Sequence, residues 1–124
     1  MEKLLKHKHL LIRAEVKNPP KTEEQIINWM NNLIAKIDMN ILAGPYASKV
    51  SKKGNKGISG VAIIDTSHVG IHTWDETDPA LVQLDVYSCK EFNKIDVLSC
   101  IEEFDPITVD YKYFDRENNF KELK

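Results

Sequence analysis

A chain of 124 residues, 42% hydrophobic and 29% charged, is long enough to bury one core and implies one compact domain spanning residues 1–124. Its net charge of -2 argues against a nucleic-acid surface, and no run reaches the roughly 18 apolar residues of a membrane span. The charged opening Met1-Glu2-Lys3 has no signal-peptide core, and Cys89 and Cys100 show no metal-ligand spacing with the four histidines, so a soluble, cytoplasmic protein with reduced thiols and no bound metal is expected.

In chain order, His9 to Val16 is an apolar run that reads as a strand, stopped by Asn18-Pro19-Pro20. Thr22 with Gln25 forms a capping-box pattern, after which Ile26, Trp29, Met30, Leu33, Ile34 and Ile37 recur at helical spacing and should lie on a sheet. Met39 to Leu42 reads as a short strand with a turn at Ala43-Gly44-Pro45, and Ser51 to Gly57 as a polar, glycine-punctuated loop. Val61–Asp65, His68–Trp74 and Leu81–Tyr87 supply three more strands, the first two joined tightly at Thr66-Ser67. Asn93 caps a second helix carrying Ile95, Leu98 and Ile101, Pro106 breaks it, and Ile107 to Phe114 is a last strand before a polar tail that frays from Asp115. The fold class is α+β: a two-layer sandwich, mostly antiparallel, with two helices packed on one sheet face.

Alternation along the fourth strand puts His68, Gly70, His72 and Trp74 on one face and Ser67, Val69, Ile71 and Thr73 on the other. Ser67 and His72 then project to opposite sides unless the strand bends, and Gly70 is a plausible site for a bulge. Taken alone, Ser67 is turn chemistry, His72 a hydrogen-bonded sheet histidine, Glu76 a solvated loop acid and each cysteine a buried thiol.

The stretch Ser59-Gly60-Val61, Asp65-Thr66-Ser67-His68, Ile71-His72-Thr73-Trp74-Asp75-Glu76 and Asp85-Val86-Tyr87-Ser88-Cys89 resembles the small prokaryotic, pyruvoyl-dependent S-adenosylmethionine decarboxylases. That family's pattern runs roughly S-G-V, then E-S-H-x-x-I-H-T-W-P-E, then a strand ending in T-C. The resemblance implies that Ser67 attacks the carbonyl of Thr66, that the chain breaks into residues 1–66 and 67–124, and that Ser67 becomes a pyruvoyl group. Such a carbonyl takes up the electrons left by CO2, as a bound pyridoxal would. It further implies that His72 and Ser59 assist processing, that Cys89 reprotonates the substrate α-carbon, that Glu76 holds the ribose hydroxyls, and that the protein is a homodimer with shared active sites. The product would serve spermidine synthesis. The chemistry suits the residue types: an imidazole is poised near neutral pH, a thiol carries a proton to give, and a carboxylate accepts two hydrogen bonds.

The chain departs from the pattern where Thr66 replaces Glu, where Asp75 replaces Pro, and by two extra residues between Trp74 and Cys89. Where the family has an adenine-stacking aromatic, the loop before Ser59 offers Ser51, Lys52 and Lys53, with Tyr46 as a candidate substitute. Two further readings therefore stand beside the first: a pyruvoyl decarboxylase of a basic amino acid, and an unprocessed homologue that binds a ligand or modulates a partner enzyme without catalysis.

Overall fold

The computed structural model describes residues 6–124, so the reading of Met1-Glu2-Lys3 lies outside the described residues. Strand β1 (Lys8–Val16) is followed by helix α1 (Glu23–Lys36) and by strands β2 (Ile41–Val50), β3 (Gly57–Ile64), β4 (Ser67–Trp74) and β5 (Ala80–Ser88). Helix α2 (Lys94–Ile101) runs into a 3-10 turn (Glu102–Phe104), and β6 (Pro106–Asp115) and β7 (Lys121–Leu123) complete the chain. The strands form one sheet in the order β2-β3-β4-β5-β1-β6-β7, each neighbouring pair antiparallel. Both helices pack on one face, so the architecture is the expected two-layer α+β sandwich.

Local chemistry explains the elements. Thr22 Oγ1 accepts from the Gln25 amide at 3.0 Å while Gln25 Oε1 accepts from the Thr22 amide at 3.2 Å, closing the capping box that starts α1. Its apolar stripe, Ile26, Trp29, Met30, Leu33 and Ile34, is buried against the sheet. Gly60 on β3 makes this contact possible, since a Cβ there would lie 2.5 Å from Ile26 Cγ2 and 2.7 Å from Met30 Sδ. Asn93 Oδ1 accepts from the Ile95 amide at 2.9 Å and caps α2 as expected. Among the described residues no helix is long and apolar enough to cross a membrane.

Four expectations are corrected. Residues 41–50 form one ten-residue edge strand, not a short strand and a turn. Register irregularities between Ile41 and Tyr46 absorb Gly44, at φ 93°, and the cis Gly44-Pro45 bond. An edge strand tolerates proline because its outward amides need no partner. Strand β3 starts at Gly57 rather than Val61, its Ile58 amide donating to the buried Thr73 Oγ1 at 2.9 Å. The tail does not fray from Asp115: β7 pairs with the end of β6. Finally, β4 pairs with β3 and β5 in unbroken register, so no bulge occurs at Gly70.

Candidate active site

The sheet face away from the helices carries His9, Leu11 and Arg13 of β1, Tyr46 and Ser48 of β2, and Ser59, Val61 and Ile63 of β3. It also carries His68, Gly70, His72 and Trp74 of β4, and Gln83, Asp85 and Tyr87 of β5. Leu11, Tyr46, Val61 and Ile63 are exposed there. Two open hollows of about 430 and 580 Å³ flank Gly70, the first walled by Leu11, Arg13, Gln83 and Asp85, the second by Tyr46, Ser48, Ser59 and His68; His72 lines both.

The site residues fall into two groups at opposite ends of this face. Ser59 and His72 sit directly opposite one another on β3 and β4, with Ser59 Oγ 2.8 Å from His72 Nδ1. Just past β4, Glu76 Oε1 accepts from the Lys56 amide at 3.1 Å, and Trp74 Nε1 donates to Asn55 Oδ1 at 2.7 Å, so the β2–β3 loop folds over this end. The second group surrounds the two-residue turn Asp65-Thr66 that joins β3 to β4. Ser67 opens β4 with φ 149°, a backbone conformation that side-chain-bearing residues rarely adopt.

Surrounding bonds hold that turn from two sides. The Thr66 carbonyl accepts from the Cys89 amide at 2.8 Å, and the Asp65 amide donates to the Asn40 carbonyl at 2.9 Å. Cys89, half-buried with a free thiol, thus lies next to the Thr66-Ser67 bond. Ser67 pairs with Ile64 and Ser88 at the turn end of β4, and its φ of 149° takes it out of the regular alternation that would set its side chain opposite to that of His72. Five positions of extended strand separate them, about 17 Å. Within one chain, Ser67 and Cys89 are brought together, Ser59 and His72 are brought together, and the two pairs are not.

The sequence reading missed a third group. His9 Nε2 hydrogen-bonds Asp85 Oδ1, His68 Nε2 lies 3.5 Å from Asp85 Oδ2, and Arg116 Nη1 contacts His9 Nδ1 at 3.1 Å while its guanidinium covers the Tyr87 ring. The signal was present as the polar alternation His9, Arg13, Glu15 in β1, but the β4-β5-β1 adjacency that assembles the group is not local in sequence. Partial burial pushes the Asp85 carboxyl up, and the His9 and His68 rings outweigh it by hydrogen bond and charge, leaving the group below its ordinary value. Potential ligand atoms of His9, His68 and Asp85 lie within 4.8 Å of one another. Arginine only donates, so a neutral His9 accepts from Arg116 at Nδ1 and gives its Nε2 proton to Asp85. His9, Asp85 and Arg116 thus form a hydrogen-bonded relay, with His68 beside the same carboxylate. Cys100, by contrast, is half-buried on α2 with its thiol donating to the Asp96 carbonyl at 3.3 Å, and burial pushes that thiol up.

A one-sided antiparallel sheet with its reactive side chains on and around the uncovered face defines the class: a two-layer α+β sandwich with one sheet face open. The crystal structure of the adenosylmethionine decarboxylase from Aquifex aeolicus VF5 matches it with a TM-score of 0.74, covering 98% of this chain and 99% of that one at 20% identity. The family model for S-adenosylmethionine decarboxylase matches residues 9–117. The S-adenosylmethionine decarboxylase proenzyme of Archaeoglobus fulgidus is 36% identical over 97 residues, covering 76% of this chain and 80% of its own. That of Picrophilus torridus is 32% identical over 95 residues, 72% of each chain. The chain belongs to the S-adenosylmethionine decarboxylase family.

Proposed function

We propose that this protein is a cytoplasmic S-adenosylmethionine decarboxylase that cuts itself between Thr66 and Ser67 into residues 1–66 and 67–124, carries a pyruvoyl group made from Ser67, works as a homodimer and serves spermidine synthesis. The observation that carries this reading is the held turn: Ser67 at φ 149° directly after a carbonyl that accepts from the Cys89 amide at 2.8 Å. A strained residue fixed by its surroundings is suited to a reaction that relieves the strain. As Ser67 Oγ attacks the Thr66 carbonyl carbon, the C–N bond breaks and the hydroxyl proton passes to nitrogen, giving an ester. Removal of the Ser67 Cα proton then expels the Thr66 carboxylate, and hydrolysis of the resulting dehydroalanine releases ammonia and leaves the ketone.

The residues at the turn fit that group, which supplies an electron-accepting carbonyl during decarboxylation. Cys89, adjacent to the same bond, returns a proton to the substrate α-carbon. Ser59, His72 and Glu76 stand too far from Ser67 in their own chain to act on it. A second copy packed face to face and running antiparallel supplies them, because its Ser59–His72 end then lies over the Ser67 end of the first. Gly70, three residues after Ser67 and two before His72, marks the axis. Among the described residues beyond its two chain neighbours, nothing comes nearer than 3.9 Å to a Cβ built there, so the bare backbone lets two sheets approach. The exposed Leu11, Tyr46, Val61 and Ile63 are what such a contact buries. In the shared site His72 takes the Cα proton, Ser59 orients its imidazole through the 2.8 Å contact, and Glu76 accepts from the ribose hydroxyls.

The test is release of labelled CO2 from carboxyl-labelled S-adenosylmethionine, with arginine and ornithine in parallel. The β2–β3 loop, which carries Lys52, Lys53 and Lys56 and no aromatic ring, favours one second reading, the same chemistry on a basic amino acid. Release from arginine or ornithine but not from S-adenosylmethionine would select it.

A further inference from the structure

Thr66, where relatives were expected to carry glutamate, is not an idle replacement. Its hydroxyl donates to Met39 Sδ at 3.1 Å and accepts from Ser88 Oγ at 3.0 Å. Ser88 is fully buried, and its hydroxyl in turn accepts from the Lys90 amide at 3.0 Å. A directed chain therefore runs from the Lys90 amide through the Ser88 and Thr66 hydroxyls to the Met39 sulfur. One residue along, the Cys89 amide donates to the Thr66 carbonyl at 2.8 Å. The side chain and the carbonyl of Thr66 are thus both gripped by the Ser88–Lys90 segment.

We propose that Ser88 and Thr66 form a two-hydroxyl clamp that positions the Thr66 carbonyl for attack by Ser67, with the Cys89 amide as the donor facing the charge that develops on that oxygen. This rests on the self-cleavage reading above. Both hydroxyls are positioning groups: neither touches the reacting carbon, and each acts by fixing the carbonyl against the amide. A preformed donor at a developing oxyanion is worth far more to rate than to ground-state stability, so loosening it slows the acyl shift specifically.

The experiment follows chain cleavage by intact denatured mass in the full chain and in Ser88→Ala, Thr66→Val, their double variant, Ser88→Thr and Thr66→Ser, each checked for folding by circular dichroism. Removing either hydroxyl is expected to slow cleavage about tenfold or more, and the double variant to be no slower than the worse single, because the two act as one unit. Ser88→Thr and Thr66→Ser, which keep the hydroxyls, should cut at close to the parent rate. Hydroxylamine, which cleaves esters but not peptides, should leave the uncut Ser88→Ala and Thr66→Val chains intact, since the step slowed precedes the ester. Parent-like cutting by Ser88→Ala and Thr66→Val overturns the clamp and leaves the self-cleavage reading standing. A parent chain that never cuts overturns both. Should Ser88→Ala fail to fold, the Thr66→Val and Thr66→Ser pair, at a half-buried turn, decides.

Discussion

Ser59 Oγ lies 2.8 Å from His72 Nδ1 across a directly paired position of β3 and β4, while Ser67 stands five positions from His72 at the opposite end of the same strand. A single chain therefore holds two half-sites rather than one site. If the open faces of two copies join them, inactive variants should complement one another. Ser67→Ala and His72→Ala, each inactive alone, should regain about a quarter of parental activity when co-expressed, since half the dimers are mixed and one site of each mixed dimer is intact. Activity is the readout; no recovery in demonstrably mixed dimers contradicts the shared site.

Gly70→Leu tests the face itself. Among the described residues beyond its two chain neighbours, a Cβ at Gly70 meets nothing nearer than 3.9 Å, so the monomer should keep its fold. The added bulk should separate the two sheets, which size-exclusion chromatography with light scattering would register as a shift from dimer to monomer, with activity lost in parallel.

The two thiols should behave differently. Cys89→Ala removes the proton donor beside the Thr66-Ser67 bond and should lower turnover by about 10²-fold or more. Cys100→Ala, on α2 and away from the open face, should leave turnover close to that of the parent. Steady-state kinetics of the two variants checks this.

Asp85 gives a pH signature. Its carboxyl is held below its ordinary value in the folded chain, so folding is favoured wherever it is ionised: the contribution is present above the unfolded value of about 3.9 and is lost as pH falls through the lower folded value. Asp85→Asn should therefore melt at a lower temperature than the parent at pH 7, and the gap should close below about pH 4. A gap that stays open well below about pH 4 contradicts the assignment.

Gly60 carries the packing of α1 on β3. Its missing Cβ would stand 2.5 Å from Ile26 Cγ2, so Gly60→Ala should destabilise the fold by about 1–3 kcal/mol by urea denaturation, with the midpoint lowered and the slope unchanged.

What sequence reading could reach follows from range. The Thr22/Gln25 box, the stripe from Ile26 to Ile34, the Asn93 cap and the alternation of β4 are local signals, and each corresponds to an observed element. Proline in a strand-like run argues for a turn, which is why the expected strand ends at Leu42 before Ala43-Gly44-Pro45; only its place at the sheet edge makes the continuous strand possible. Strand β7 has three residues and depends on β6 for its definition. The relay of His9, Asp85, His68 and Arg116 draws on three strands and the segment after β6, and no spacing within one segment announces it. For the site, the residue types and the face of His72 were legible, but the separation of Ser67 from His72 needed the unbroken register of β4, where Gly70 had offered a place for a bulge.

The central claim is self-cleavage at the held turn, and the intact denatured mass of freshly purified protein, before and after incubation and for Ser67→Ala, tests it most directly. Two fragments dividing at Thr66-Ser67, the second with a pyruvoyl terminus, and an uncut Ser67→Ala chain are the predicted result. A single full-length chain that persists through incubation would contradict it.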